Sequence, residues 1–226
     1  EKKSVNIISM YARGLTTRQI SEQIEEIYGF ECSEGFISDV TDKILQDISD
    51  WQNRPLDDIY PIMFIDAVHF SVREDHIIKK LAAYVILGIT MDGRKDVISL
   101  QIGENESAKY WLGVLNDLKY VPYKDKKAFA ADLKTIYLAP NEEQGQIYKF
   151  SADVRKVIYT TNAIESLNST YKKLNRQRSV FPNDTALLKS LYLSTLQATK
   201  KWNQPLRNWA KVYGEFSIMY EGRFPI

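Results

Sequence analysis

The sequence predicts an α/β protein, with a helical N-terminal stretch, a strand-rich middle and a helical C-terminal stretch. Three observations predict it. Apolar residues recur at helical spacing over roughly the first fifty positions. From Ile62 to Ile102 they alternate or run unbroken between short turn signals, as strands do. After Asp153 helical spacing returns.

The totals bound the possibilities. With 226 residues, 44% of them apolar, the chain can fill one moderate domain or a small domain beside a larger one. Aromatic residues make up 12%, which excludes a disordered chain. A net charge of +1 announces no nucleic-acid partner, so any such evidence must come from local clustering. Cys32 is the only cysteine, which excludes a disulfide framework and a cysteine-based zinc site and fits a reducing compartment. No apolar run approaches membrane-spanning length and no signal peptide is evident, so a soluble, cytoplasmic protein without membrane partners is expected. The chain opens on Glu1, so its true start is expected upstream.

Residues 1–54 read as helices. Thr16 and Gln19 make a capping-box start, and Ile20, Ile24, Ile27 and Tyr28 follow at helical spacing until Gly29. Ser33 caps a second helix with an apolar stripe of Ile37, Val40, Ile44, Leu45 and Ile48. Two short helices on a tight turn suit a helix-turn-helix DNA-binding unit. An ordinary helical hairpin would leave the same pattern.

Residues 55–119 change character after the linker at 53–58. Strands are expected over 62–72, 81–90 and 97–102, with turns at Asp75-His76 and Met91-Asp92-Gly93-Arg94, giving an antiparallel meander. A helix is expected over 106–118, carrying Trp111, Leu112 and Leu115 on one side. Residues 120–150 read as helical and mixed in charge, punctuated by Pro140 and Gly145, and 151–226 read as mainly helices.

Two acids stand out. Asp66 shares a strand face with Ile62, Phe64, Val68 and Phe70, while Met63, Ile65 and Ala67 make the other face apolar too. A strand buried on both sides makes a carboxylate there costly unless it is paired or binds a metal. A buried ion pair or a strand end in solvent would also explain it, but the pattern favours function. Glu165 lies near the start of a helix running to about Gln177, three residues after Asn162, where it would complete a capping box. It also heads a polar stripe of Asn168, Ser169, Lys172 and Arg176, opposite Ile164, Leu167, Tyr171 and Leu174. Capping and catalysis are compatible here.

Positive charge concentrates between Lys172 and Arg207. Lys172, Lys173, Arg176, Arg178, Lys189, Lys200, Lys201 and Arg207 face the single acid Asp184, with Tyr171, Phe181, Tyr192 and Trp202 interleaved. Such a segment can neutralise phosphates and release their counterions. A solvated helix face with its aromatics in the core is the competing explanation.

Several blocks resemble mutator-type insertion-sequence transposases of bacteria: Ile62 to Val72, Lys79 to Tyr84, Ile102 to Ala108, Thr160 to Asn168 and Asn175 to Pro182. The resemblance extends over nearly the whole chain, and the blocks around Glu165 and Arg178 are the most specific. It implies a ribonuclease-H-like (retroviral-integrase-type) core with an Asp, Asp, Glu triad holding two divalent metals, usually Mg2+, for cleavage and strand transfer of DNA. Asp66 matches the first acid and Glu165 the last, as catalytic and metal-holding residues. Lys172, Lys173, Arg176 and Arg178 are the expected DNA contacts, and residues 1–54 match the family's DNA-binding region.

The sequence also departs from that pattern. Family members continue past the Leu115-to-Lys119 helix into a strand ending in the second catalytic Asp, whereas Lys119 here is followed directly by Tyr120-Val121-Pro122. A further shortening is expected near 141–147. Asp92, Asp117, Asp125 and Asp132 are better explained as turn or surface residues than as replacements. The expectation is an incomplete core and an impaired transposase, with a non-catalytic DNA-binding or inhibitory remnant as the alternative. Expected partners are the DNA ends of an insertion sequence and a second copy or a full-length transposase.

Overall fold

The computed structural model describes residues 2–57, 59–103, 150–159 and 162–220. The expected helices over 106–118 and 120–150, and Asp117, Asp125 and Asp132 with them, lie outside the described residues. Four helices come first: α1 (Lys2–Ala12), α2 (Thr17–Tyr28), α3 (Glu34–Asp42) and α4 (Ile44–Gln52). The expected capping box at Thr16 and Gln19 is present, and Gly29 closes α2 in the left-handed conformation at φ 69°. Ser33 caps α3 by accepting from the Phe36 amide at 3.2 Å. The single expected helix from Ser33 is interrupted at Lys43, whose right-handed backbone lets α4 follow directly. Ile20, Ile24, Ile37, Val40, Ile44 and Ile48 are buried as the periodicity predicts, but Ile27, Tyr28 and Leu45 are exposed.

The middle is the expected meander: β1 (Ile62–Glu74), β2 (Ile77–Ile89) and β3 (Lys95–Gly103), antiparallel in the order β1-β2-β3. The β1–β2 turn is as tight as a hairpin allows. Glu74 pairs with Ile77, and Asp75 and His76 both take positive φ, 47° and 64°. A two-residue primed turn needs this, and Asp and His tolerate it better than most residues. In the second turn Gly93 has φ 82°, and a Cβ there would meet the Trp209 indole.

Central β2 is buried on both faces from Leu81 to Ile89. Its odd-numbered residues join the inner core with Val68, Phe70, Val72 and Leu100. Its even-numbered Ile86 faces Ile98, Met63, Ile65, Leu56 and Tyr60, so the linker covers part of the outer face. A register shift opposite Ile86 and Leu87 lets β3 turn both Val97 and Leu100 inward.

The C-terminal stretch supplies α5 (Ala152–Tyr159), α6 (Asn162–Gln177), α7 (Asp184–Thr199) and α8 (Trp209–Met219). Helix α6 lays Ile164, Leu167, Tyr171 and Leu174 on the sheet. The chain leaving α6 is clipped to β1 by a parallel bridge between Val72 and Phe181. In it the Arg73 amide donates to Phe181 O at 2.8 Å and the Phe181 amide to Ser71 O at 2.9 Å. Helices α5 and α8 close the Ile62 and Ile89 end of the sheet. There the Trp209 indole N–H donates to Met91 O at 2.8 Å.

Helix α7 is buried almost all round from Ala186 to Thr195, the signature of a helix enclosed on several sides. Ala186, Leu187 and Leu191 face the sheet core, whereas Tyr192 and Leu193 complete the core of the four N-terminal helices. This corrects the expectation of a basic tail over 172–207, because its middle is an interior helix. Among the described residues no helix is long and apolar enough to cross a membrane.

Candidate active-site seam between β1 and α6

Asp66 sits on β1 opposite Val85 of β2, on the strand face that α6 covers. Its Oδ1 accepts from the Ala67 amide at 2.8 Å, and its Oδ2 accepts from Asn168 Nδ2 of α6. Further along the seam, Asn175 Nδ2 donates to His69 O at 3.2 Å. Side-chain amides on α6 therefore hold the helix along β1.

The expected two-sided burial of β1 is not what the structure has. Among the described strands β1 lies at the edge of the sheet, Met63, Ile65 and Ala67 are only half-buried, and Asp66 itself is exposed. The two-sided strand is β2. The apolar run misled because partial cover by a linker suffices to favour apolar residues on an outer face. The desolvation cost inferred for Asp66 falls away with that burial. What marks the position instead is its polar partner, Asn168, which is 5% exposed.

Glu165 lies in the first turn of α6 and is exposed. It stands one helical turn before Asn168, so the two share a side of the helix, with Cβ atoms about 5–6 Å apart. The candidate acids are thus carried on two elements joined through Asn168. The capping-box alternative for Glu165 depends on the Asn162 side chain, which lies outside the described residues. Sequence reasoning placed Asn168 on the polar stripe but missed its contact with Asp66. No local signal could have revealed it, since the two residues are 102 positions apart.

Asn168 also holds an orphan. Its Oδ1 is buried and has no hydrogen-bond partner, a condition that costs about 1–3 kcal/mol for a neutral acceptor. A lone acceptor beside a carboxylate can be satisfied only by a proton donor or a cation. No group of three or more His, Cys, Asp or Glu gathers among the described residues. Asp92 is a turn residue as expected, salt-bridged to Arg94 at 2.7 Å. The Thr90 hydroxyl, ahead of Arg94, holds its carboxyl below the ordinary value.

The cations divide into two sets. Lys172, Lys173 and Arg176 are exposed on α6, and spacings of three and four residues keep them on neighbouring parts of its surface. Arg178 is buried, 8% exposed. Its guanidinium lies 5.0 Å from the Phe181 ring and 6.0 Å from Tyr11 of α1, with Nε and Nη1 lacking hydrogen-bond partners. It stands apart from the exposed three. Lys189, also counted in the basic stretch, is buried in α7 and bonded to Asp42 Oδ1 at 2.6 Å and Thr41 Oγ1 at 3.2 Å. Lys200, Lys201 and Arg207 are exposed.

An acid on β1, a second acid on the helix packed against it and a row of exposed cations on that helix make up the candidate site. Comparison with known proteins supplies the family. The profile described as "Transposase, Mutator family" matches residues 2–120 and 142–205, which include Asp66, Glu165 and Asn168. The chain is 32% identical to a probable transposase for an ISRM3-like insertion sequence element of Sinorhizobium fredii, over 96% of this chain and 73% of the relative. The same figures hold for the transposase for insertion sequence element ISRM3 of Rhizobium meliloti. A probable insertion-sequence transposase of Corynebacterium diphtheriae is 28% identical, over 96% of this chain and 91% of the relative. The chain belongs to the Mutator family of transposases. The first of these alignments extends over 293 positions, more than the 226 residues available here, so the relative carries residues that this chain lacks.

Proposed function

We propose that this chain derives from a ribonuclease-H-like transposase that cut and joined DNA at the ends of a bacterial insertion sequence. In its present form it is an impaired catalyst that still holds DNA. The hydrogen bond from Asn168 to Asp66 carries the proposal, because it ties the helix bearing Glu165 to the strand bearing Asp66. Family membership and the exposed cations on α6 support it.

The residues of the seam fit a hard divalent cation such as Mg2+. Asp66, Glu165 and the orphaned Asn168 Oδ1 offer only oxygen, which Mg2+ prefers. When bound, such ions stabilise the charge that builds on the attacking and leaving oxygens during in-line phosphodiester displacement. The protein's share is to orient the Asp66 carboxylate through the Ala67 amide and Asn168 Nδ2. Lys172, Lys173 and Arg176 would hold the phosphate backbone beside it. Two carboxylates cannot chelate a metal pair as three do, and impairment follows from that.

A second reading, a non-catalytic DNA-binding or inhibitory protein that pairs with full-length transposase, is favoured by the same exposed cations, which need no acids to work. A cleavage and strand-transfer assay on a plasmid carrying insertion-sequence ends, with Mg2+, separates them. The expected result is salt-sensitive DNA binding with trace cleavage that Asp66→Ala removes. Vigorous cleavage would overturn the impairment, and cleavage indifferent to Asp66→Ala would overturn the assigned site.

A further inference from the structure

We infer that Asn168 is a positioning residue and a ligand of the same site, and that it completes a cradle for one divalent cation. The inference rests on the proposed metal site and adds to it a residue outside the Asp and Glu set.

A side-chain amide carries two donor hydrogens and one acceptor oxygen. Asn168 gives a donor to Asp66 Oδ2, and its own Oδ1 is left buried without a partner. Both atoms hang on one carbon, so the orphaned oxygen is within about 5 Å of the Asp66 carboxylate by covalent geometry. The N–H end of the amide answers the carboxylate, and the oxygen at its other end still lacks a partner of positive charge. Water can supply only a partial positive charge there, whereas a divalent cation satisfies both acceptors at once.

Docking of α6 on β1 accounts for the N–H end of the amide but not for its buried, unpartnered oxygen. Along α6 the residues that close the core are Ile164, Leu167, Tyr171 and Leu174. A leucine at 168 would bury as well and strand no acceptor of its own, at the loss of the donor to Asp66. The amide is useful only if its two ends do different work. The N–H end fixes the rotation of Asp66, and the oxygen end faces a ligand.

The neighbouring Asp66 carboxylate and Asn168 oxygen can share one cation between them, and Glu165, one turn earlier on α6, is the second acid of the proposed site.

The test uses the full chain and MnCl2 as probe, with binding read by calorimetry and by the rise in melting temperature on adding manganese. Wild type is expected to bind one manganese ion, and Asp66→Ala to abolish binding. Asn168→Leu should weaken binding about tenfold or more, as loss of an orienting partner commonly does. Asn168→Asp keeps the oxygen and adds charge. It should melt lower than wild type without metal, bind manganese more tightly and gain more in melting temperature on binding. A merely structural asparagine would show the lower melting temperature without the tighter binding.

Loss of binding in Asp66→Ala but not in Asn168→Leu would overturn the role of Asn168 and leave the metal site standing. Should Asn168→Leu not fold, unchanged or weaker binding by Asn168→Asp would overturn it equally. No uptake by wild type, or uptake indifferent to Asp66→Ala, would overturn both the inference and the metal site beneath it.

Discussion

Helices α6 and α7 are equally long, sixteen residues each, and follow one another in the chain, yet they treat charge in opposite ways. Helix α6 lies on the sheet by one stripe and turns Lys172, Lys173 and Arg176 to solvent. Helix α7 is interior and holds its one cation, Lys189, against Asp42 and 5.4 Å from the Tyr11 ring. The two are joined by a hydrogen bond of 2.6 Å between the Tyr171 and Thr195 hydroxyls. A count of lysines and arginines does not distinguish a binding surface from an interior anchor. What distinguishes them is whether apolar residues occupy one stripe of the helix or all of it.

The sharpest way to break this comparison is to cut into α7. Leu191 is fully buried, and Leu191→Ala should destabilise the fold by about 3 kcal/mol, measured by urea unfolding. A loss under about 1 kcal/mol would mean that α7 is not the enclosed helix described. Next in size is the anchor itself. Asp42→Ala strands the buried Lys189 ammonium and should cost about 2 kcal/mol, less than a wholly buried pair because the Asp42 side chain is half-exposed. The smallest effect on folding belongs to α6. Changing Lys172, Lys173 and Arg176 together to Ala should move stability by no more than about 0.5 kcal/mol per site. It should nevertheless lower the salt dependence of DNA binding by about 2–3 in the log–log slope. An unchanged slope would remove α6 from the DNA interface. Arg178 is left out of this set because its burial would mix a folding defect into the binding signal.

Much of the fold was legible because local rules governed it. The capping box at Thr16, the stop at Gly29 and the turns at Asp75-His76 and Gly93 are short-range devices, and each stands where its residues announced it. The unbroken apolar run of β2 likewise declared a central strand. What failed was inference about sides. Met63 and Ile65 read as fully buried because nothing in their own sequence shows that, among the described residues, only the linker residues Leu56 and Tyr60 join them on that face. Lys189 and Arg178 read as surface because long cationic side chains are usually solvated, and their partners Asp42 and Tyr11 come from far earlier in the chain. At the candidate site, the strand face and the helix wheel drew attention to Asp66 and Glu165, though the burial argued for Asp66 is not what the structure has. The amide link between them could not be singled out in this way, since it is created by the docking of α6 on β1.

The position of α7 has one more consequence. One of its sides finishes the interior of the N-terminal helices and another finishes that of the sheet, so neither part is whole when separated from the other. The first four helices are therefore not a head swinging on a tether. Whatever they grip would be presented at a distance from Asp66 fixed by the protein's own interior, and the spacing between gripped and reacting positions on a bound molecule would be measured by the width of a helix.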